Sequence, residues 1–269
     1  LKDLFKDYPN TYTAMVFGDT IFYLSMYRNF TQLSKTQFSI ENNLKKSDLL
    51  KTEKLHHTIH PISLSALNKN FDYTAVLERA FNIEPSGEPG DPFSKKFDQE
   101  AFEKIHNLTN KEKTILKGIL RGPDMPDNKI AKMLDTTRQA VARHKKELLK
   151  LGVIKKVRII DYKEMGFNIL CLVEAYYNKK ENVSSNAPNT APYHLPSFFS
   201  VYGNMETVSL SLFKDFEQFN SSRKRYTSLM REFCTLIGEP HINLYSPTDA
   251  FTIKHQEYLP LVEEFLKTQ

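Results

Sequence analysis

One stretch of this sequence occurs twice. "FGDTIFYLSMYRNFTQL", Phe17 to Leu33, returns in altered form as "YGNMETVSLSLFKDFEQF", Tyr202 to Phe219. With Phe30 set against Phe216, Ser25 faces Ser211, Leu24 faces Leu210, Tyr27 faces Phe213, Arg28 faces Lys214, Asn29 faces Asp215, Gln32 faces Gln218 and Leu33 faces Phe219. One inserted residue brings Gly18 onto Gly203. Both stretches run on into segments of helical apolar spacing: Phe38 and Leu44 in the first, and Tyr226, Leu229, Met230, Phe233 and Leu236 in the second. Both then reach a His-containing strand, "KLHHTIHPI" and "HINLYSP", and close in a short amphipathic helix near Asp72-Tyr73 and Glu257-Tyr258. The shared order of elements implies an internal duplication, with one copy at each end of the chain and something different between them.

Within each copy the pattern reads strand, turn, strand, helix, strand, helix. "YTAMVFG" and "FFSVYGN" are first strands, and "IFYLSMY" and "TVSLSLF" alternate with period two as half-buried strands do. Gly18 and Gly203, followed by Asp and Asn, mark the hairpin turns. An extra strand, "NILCLVEAYY" (Asn168 to Tyr177), precedes the second copy. Its counterpart in the first copy belongs before Leu1 or in the frayed start of the chain, so a longer protein with sequence ahead of Leu1 is expected.

Two stretches break regular structure. "EPSGEPGDPFSKKFDQE" (Glu84 to Glu100) is a linker, and "NKKENVSSNAPNTAPYHLPS" (Asn178 to Ser197) is a polar loop with three prolines. The expected bounds are 1–83 for the first α/β unit, 84–105 for the linker, 106–165 for a central domain and 166–269 for the second α/β unit. The 269 residues suffice for about two or three domains of ordinary size. Charge is uneven along them. Between His106 and Met165 there are 15 Lys/Arg against 7 Asp/Glu, a surplus of 8, which leaves −3 for the rest of a chain whose total is +5. A basic segment inside a slightly acidic protein points to a polyanion partner for the middle alone.

The central segment carries the chemistry. Thr109 with Glu112 is a capping box, opening a helix with Ile115, Leu116, Ile119 and Leu120 on one face. "RGPDMP" ends it. A second helix is expected at about Asp127 to Leu134, and "DTT" turns the chain into a third, about Thr137 to Leu151, which buries Val141 and Leu148 and stops at Gly152. "VIKKVRIIDY" then offers two short strands. Three helices and a basic β-hairpin make a winged helix-turn-helix. Thr137, Arg138, Gln139, Ala142, Arg143 and Lys146 share the outer face of the third helix, where Arg can chelate a guanine edge and Gln an adenine edge. Lys155, Lys156 and Arg158 sit where a wing would meet phosphate. The bland alternative is a tri-helical domain whose basic face is solvated and serves protein contacts. Lys145, four residues after Val141, interrupts the buried stripe; its stem snorkels along the core edge or its head meets phosphate.

"IAKMLDTTRQAVARHKKELLKLGVIKKVRIIDYKEMGF" resembles the Lrp/AsnC regulators of bacteria and archaea through Gly152, Val153, Ile154, Asp161, Gly166 and Phe167. The resemblance implies a DNA-binding winged helix-turn-helix joined to a ferredoxin-like effector domain that dimerises and senses amino acids or related small molecules. It covers about half the chain, the central domain well and the C-terminal unit more weakly. The Asn178 to Ser197 loop stands where that family has a helix, and the unit ahead of the helix-turn-helix has no place in the simple family architecture. The fold expected is α+β: a central winged helix-turn-helix flanked by two related ferredoxin-like α/β units.

Other chemistry is thinly represented. "LHHTIHP" gathers three of the eight histidines, with His56 and His60 on one face of a strand and His57 on the other. No carboxylate or Cys at ligand spacing supports a metal there. The concrete enzyme alternative is a siroheme decarboxylase-like protein, a group similar to this family in fold that uses histidines in a haem-like pocket. Cys171 and Cys234 lie far apart, each without a metal-ligand partner, and read as reduced thiols. No apolar run reaches the ~18–20 residues that span a bilayer. The expectation is therefore a cytoplasmic, dimeric regulator of double-stranded DNA, open to a small-molecule effector, without cofactor, metal, membrane or enzymatic activity.

Overall fold

The computed structural model describes residues 5, 7–48, 57–61, 65–83, 107–179, 195–203 and 205–267. In chain order the elements are β1 (Thr11–Phe17), β2 (Thr20–Ser25), α1 (Phe30–Lys46), β3 (Ala66–Asn70), α2 (Thr74–Ala80), α3 (Asn110–Arg121), α4 (Asp127–Met133), α5 (Arg138–Lys150), β4 (Ile169–Lys179), β5 (Ser197–Tyr202), β6 (Glu206–Phe213), α6 (Phe216–Phe233), β7 (Cys234–Leu236), β8 (His241–Tyr245), β9 (Phe251–Lys254) and α7 (Tyr258–Lys267). They form a mixed α+β protein with antiparallel sheets. No helix among the described residues is long and apolar enough to cross a membrane. Two compact units divide the chain, neither contiguous: 1–58 with 100–155 and 251–269, and 59–99 with 156–250.

In the first unit β1 and β2 make a hairpin, and Gly18 takes φ +57 at its tip, a value that glycine reaches without strain. Helix α1 buries Ile40 and Leu44 against Phe5, Tyr8 and Ala14. The third strand comes from near the end of the chain. β9 pairs antiparallel with β1, placing Lys254 opposite Ala14 and Phe251 opposite Val16. Lys254 is 4 % exposed, and its ammonium donates to the carbonyls of Tyr8 (2.9 Å) and Phe5 (3.3 Å) while burial lowers its pKa. α7 follows β9 and sets Val262 against the core of α3, α4 and α5.

In the second unit β4 is central. β6 pairs along one edge, from Ile169 opposite Phe213 to Tyr176 opposite Glu206. β8 pairs along the other edge, and β7 pairs beyond it at the end of β4. β5 lies outside β6, and β3 lies outside β5. α6 packs Phe219, Tyr226 and Met230 against Cys171, Val173 and Tyr177 of β4. Cys171 is a free thiol, and burial raises its pKa to about 12.

The two similar stretches carry corresponding hydrogen bonds and stacks in the two units. Asn29 caps α1 by accepting from the Gln32 amide (2.9 Å), and Gln32 Oε1 accepts back from the Arg28 amide (3.1 Å). Asp215 accepts from the Gln218 amide (2.7 Å), and Gln218 Oε1 from the Lys214 amide (3.0 Å). A hydroxyl pair bridges the hairpin in each, Thr11 with Ser25 (2.7 Å) and Ser197 with Ser211 (3.0 Å). The parallel extends to the closing strands. Phe71 after β3 and Gln256 after β9 both turn left-handed, at φ 54 and 48. The next amides, of Asp72 and Glu257, donate to Phe198 (2.8 Å) and Tyr12 (2.7 Å) carbonyls. Tyr73 then stacks on Phe198 (4.9 Å) and Tyr258 on Tyr12 (5.0 Å).

Two expectations change. Of "KLHHTIHPI", the described residues His57 to Pro61 are irregular and form no strand; the strand that precedes α2 is β3, "ALNKN". Pro61 has no N–H to give to a ladder. The contiguous bounds 1–83 and 166–269 also fail to follow the pairing. β3 and α2 belong with β5, and β9 and α7 with β1, so each half of the sequence closes the other half's sheet. Residues 84–106 and 180–194, which hold the linker and most of the loop, lie outside the described residues, as does His56.

Truncation after Ala250 removes β9 and α7. Hydrogen–deuterium exchange of β1 amides should rise on the order of tenfold or more while β4 stays protected. Unchanged protection of β1 would show that β9 is not its partner.

Candidate nucleic-acid interface

The tri-helical core is built by local rules that the sequence obeys closely. Thr109 Oγ1 accepts from the Glu112 amide (3.3 Å), and Glu112 Oε2 accepts from the Thr109 amide (2.8 Å) and hydroxyl (2.6 Å). These hydrogen bonds hold the Glu112 carboxyl below its ordinary pKa. α3 buries Ile115, Leu116 and Ile119. Gly118 lets α4 come close, since a Cβ there would stand 2.8 Å from Leu134 Cδ1 and 3.3 Å from Ile130 Cγ2. Asp135 takes φ 48 in the turn, a conformation Asp tolerates better than most residues. Thr137 then caps α5, accepting from the Ala140 amide (3.2 Å). α5 buries Val141, His144 and Leu148 and ends at Gly152, φ +73. There the Gly152 amide donates to Leu149 O (3.1 Å) and the Val153 amide to Leu148 O (3.0 Å), a Schellman stop.

The opposite face of α5 is open. Thr137, Arg138, Gln139, Ala142, Arg143 and Lys146 are all exposed. Gln139, Arg143 and Lys146 recur at i, i+4 and i+7, which aligns them on one stripe. Arg138 and Lys146 pair with no carboxylate among the described residues. Thr137 has given one hydroxyl lone pair to the cap. Lys145 neither snorkels freely nor stands ready for phosphate: its ammonium pairs with Asp127 at 3.0 Å, tying α5 to the first residue of α4.

The wing differs from expectation. Lys155, Lys156 and Arg158 are exposed, but no strand forms between Val153 and Ile160. A tight hairpin needs a turn residue that accepts positive φ, and from Val153 to Ile160 there is no Gly, Asn or Asp. The boundary between the compact units also falls after Lys155, so Lys156 and Arg158 belong to the second unit.

The histidines have separate settings. His57 Nδ1 lies 3.0 Å from the Tyr23 hydroxyl in the first unit. In the second, His60 lies 3.7 Å from Glu206, close to Gly203, and neither ring nitrogen has a hydrogen-bond partner among the described residues. Burial lowers its pKa to about 4, outweighing a carboxylate at that distance, so the ring is neutral at pH 7. One grouping escaped the sequence reading: a donor atom from each of Glu112, His144 and Glu147 lies within 4.8 Å of the others. The available signal was His144 and Glu147 at i, i+3 on one helix.

No protein-family model matches the sequence, and a search of curated proteins finds no match. Among solved structures, half of this chain is similar to transcriptional regulators of Lrp/AsnC type. An AsnC family transcriptional regulator from Agrobacterium tumefaciens has 10 % identity and a TM-score of 0.38, covering 51 % of this chain and 89 % of that one. LrpC of B. subtilis has 14 % identity and a TM-score of 0.37, covering 51 % and 94 %. A transcriptional regulator from Neisseria meningitidis, in complex with L-Met, has 10 % identity and a TM-score of 0.39, covering 51 % and 89 %. At this identity and score the likeness by itself carries no argument about this chain.

Two outcomes follow from the geometry. The Lys145–Asp127 pair is about one-third exposed at each end, so a double-mutant cycle with Lys145→Met and Asp127→Asn should give a coupling of only ~0.2–1 kcal/mol; several kcal/mol would mean the pair is dry. His60 has a folded pKa, about 4, below its ordinary value of 6.5, so the unfolded chain takes up the proton first. Its contribution to stability is therefore complete above pH 6.5 and lost as the pH falls toward 4. Urea melts of His60→Phe should show a shallower acid-side loss across that window than the parent; an identical slope would place the titration elsewhere.

Proposed function

We propose that this chain is a sequence-specific DNA-binding transcription regulator of Lrp-like type, with α5 as its recognition helix. The observation that carries the reading is the two-faced character of α5. One face is locked into a core by Val141 and Leu148, both 0 % exposed, and the other presents Arg138, Gln139, Arg143 and Lys146 to solvent. A helix held that way can enter a major groove without rearranging, and these side chains can read base edges. The local surplus of 8 positive charges, to which Lys155, Lys156 and Arg158 contribute, favours a polyanion partner.

The flanking units fit two copies of one ferredoxin-like effector fold, each closed by a strand and helix of the other. The matched caps, hydroxyl bridges and Tyr stacks support that reading. Their role in it is oligomerisation and the binding of a small-molecule effector. A single recognition helix contacts only a few base pairs, so a homodimer on paired half-sites is the working form. Selection of random duplexes followed by fluorescence anisotropy tests the proposal. Selected duplex should bind with a steep salt dependence, about 0.9 in log–log slope per phosphate contact. Arg138→Ala and Arg143→Ala should each weaken binding by about tenfold to a hundredfold. Unaltered affinity in the double variant would sink the assignment of α5.

A further inference from the structure

His144 is the buried polar residue of α5, 9 % exposed, between Val141 and Leu148 on the face that enters the core. An imidazole at that depth needs partners. Its Nε2 lies 3.4 Å from Arg143 Nη2, and a guanidinium can only donate, so Nε2 is the acceptor. Its Nδ1 lies 3.0 Å from Glu147 Oε2, within ion-pair distance, yet the two make no hydrogen bond. The separation suits a hydrogen bond and the direction does not. Glu112, at the third position of α3, completes the group to within 4.8 Å. Its Oε2 serves Thr109, and its second oxygen remains to be given.

Two donor atoms about 3 Å apart that do not aim along the line between them have the spacing of neighbours in a coordination shell. Metal–nitrogen and metal–oxygen bonds of about 2.0–2.2 Å set adjacent ligands at about that spacing. The backbone carrying all three groups is already fastened by the capping box of α3 and the Schellman stop of α5, so the site costs little ordering.

We propose that Glu112, His144 and Glu147 bind a divalent transition-metal ion such as Zn²⁺, with water completing its shell, and that the bound ion releases Arg143 for DNA. An imidazole with two carboxylates suits Zn²⁺ and its neighbours rather than Mg²⁺ or Ca²⁺, which prefer oxygen alone. Coordination through Nδ1 puts the ring proton on Nε2. Nε2 then donates and can no longer accept from Arg143, so the guanidinium loses its tether on the exposed face of α5. This second step rests on α5 being the recognition helix; the ion site does not.

Chelator-stripped protein titrated with Co²⁺, without DNA, should take up one equivalent with a visible d–d band that Zn²⁺ displaces. Glu147→Gln, an exposed position that leaves the fold intact, should weaken Co²⁺ by at least about tenfold. Zn²⁺ should tighten duplex binding about tenfold in the parent and leave Glu147→Gln unchanged. Absence of saturable binding, or equal binding by Glu147→Gln, overturns the site. Binding without a change in DNA affinity overturns the release of Arg143. Absence of duplex binding with and without metal counts against the regulator reading, and the cobalt band still decides the ion site.

Discussion

Each sheet in this protein is completed by a strand from the far half of the chain. β1 is buried along its whole length and has β2 on one side only. Without β9 the N–H and C=O groups of its other edge would lose their ladder partners and open to water as a bare sheet edge. β5 has the same dependence on β3. The exchange therefore makes neither half of the sequence self-sufficient. It also carries α7 back to the tri-helical core, where Val262 joins Ile115, Ile130 and Leu148. Stacks such as Tyr12 on Tyr258 join residues near opposite ends of the chain, and such contacts are slow to find in folding.

A second constraint acts within α5, where a core face and an exposed basic face share thirteen residues. Val141 and Leu148 fix the rotation of the helix, and that rotation alone turns Arg138, Gln139, Arg143 and Lys146 outward. Residues between the two faces take intermediate roles. Lys145 ties α5 to α4 through Asp127, and His144 lies between Arg143 and Glu147, so the core side of the helix is joined by polar contacts to its exposed side.

Much of this was visible in the sequence because it is local. Asn29 with Gln32 and Asp215 with Gln218 stood out as matched pairs, and each proves to be a helix cap whose partners lie within four residues. Thr109–Glu112, Thr137 and Gly152 were legible for the same reason. The wing was misread: its lysines and apolar residues suggested strands, but the stretch lacks a residue to turn a hairpin. β3 and β9 were missed because "ALNKN" and "FTIK" are too short to show alternation. Glu112 and His144 could not be associated in advance, since they lie on different helices and Glu112 already had a full explanation as a cap.

The sequence by itself determined where helices start and stop, which face of α5 is apolar, where positive charge gathers, and that two similar sets of elements bracket the middle. Those properties depend on neighbours within one or two turns, and short-range sterics and hydrogen bonds decide them. The tertiary structure alone decided which sheet β3 and β9 join, that Lys145 meets Asp127, and that Glu112 comes beside His144. A strand edge offers the same N–H and C=O groups to any partner. Only the packing of complete units, with Tyr73 on Phe198 and Tyr258 on Tyr12, selects one pairing over another.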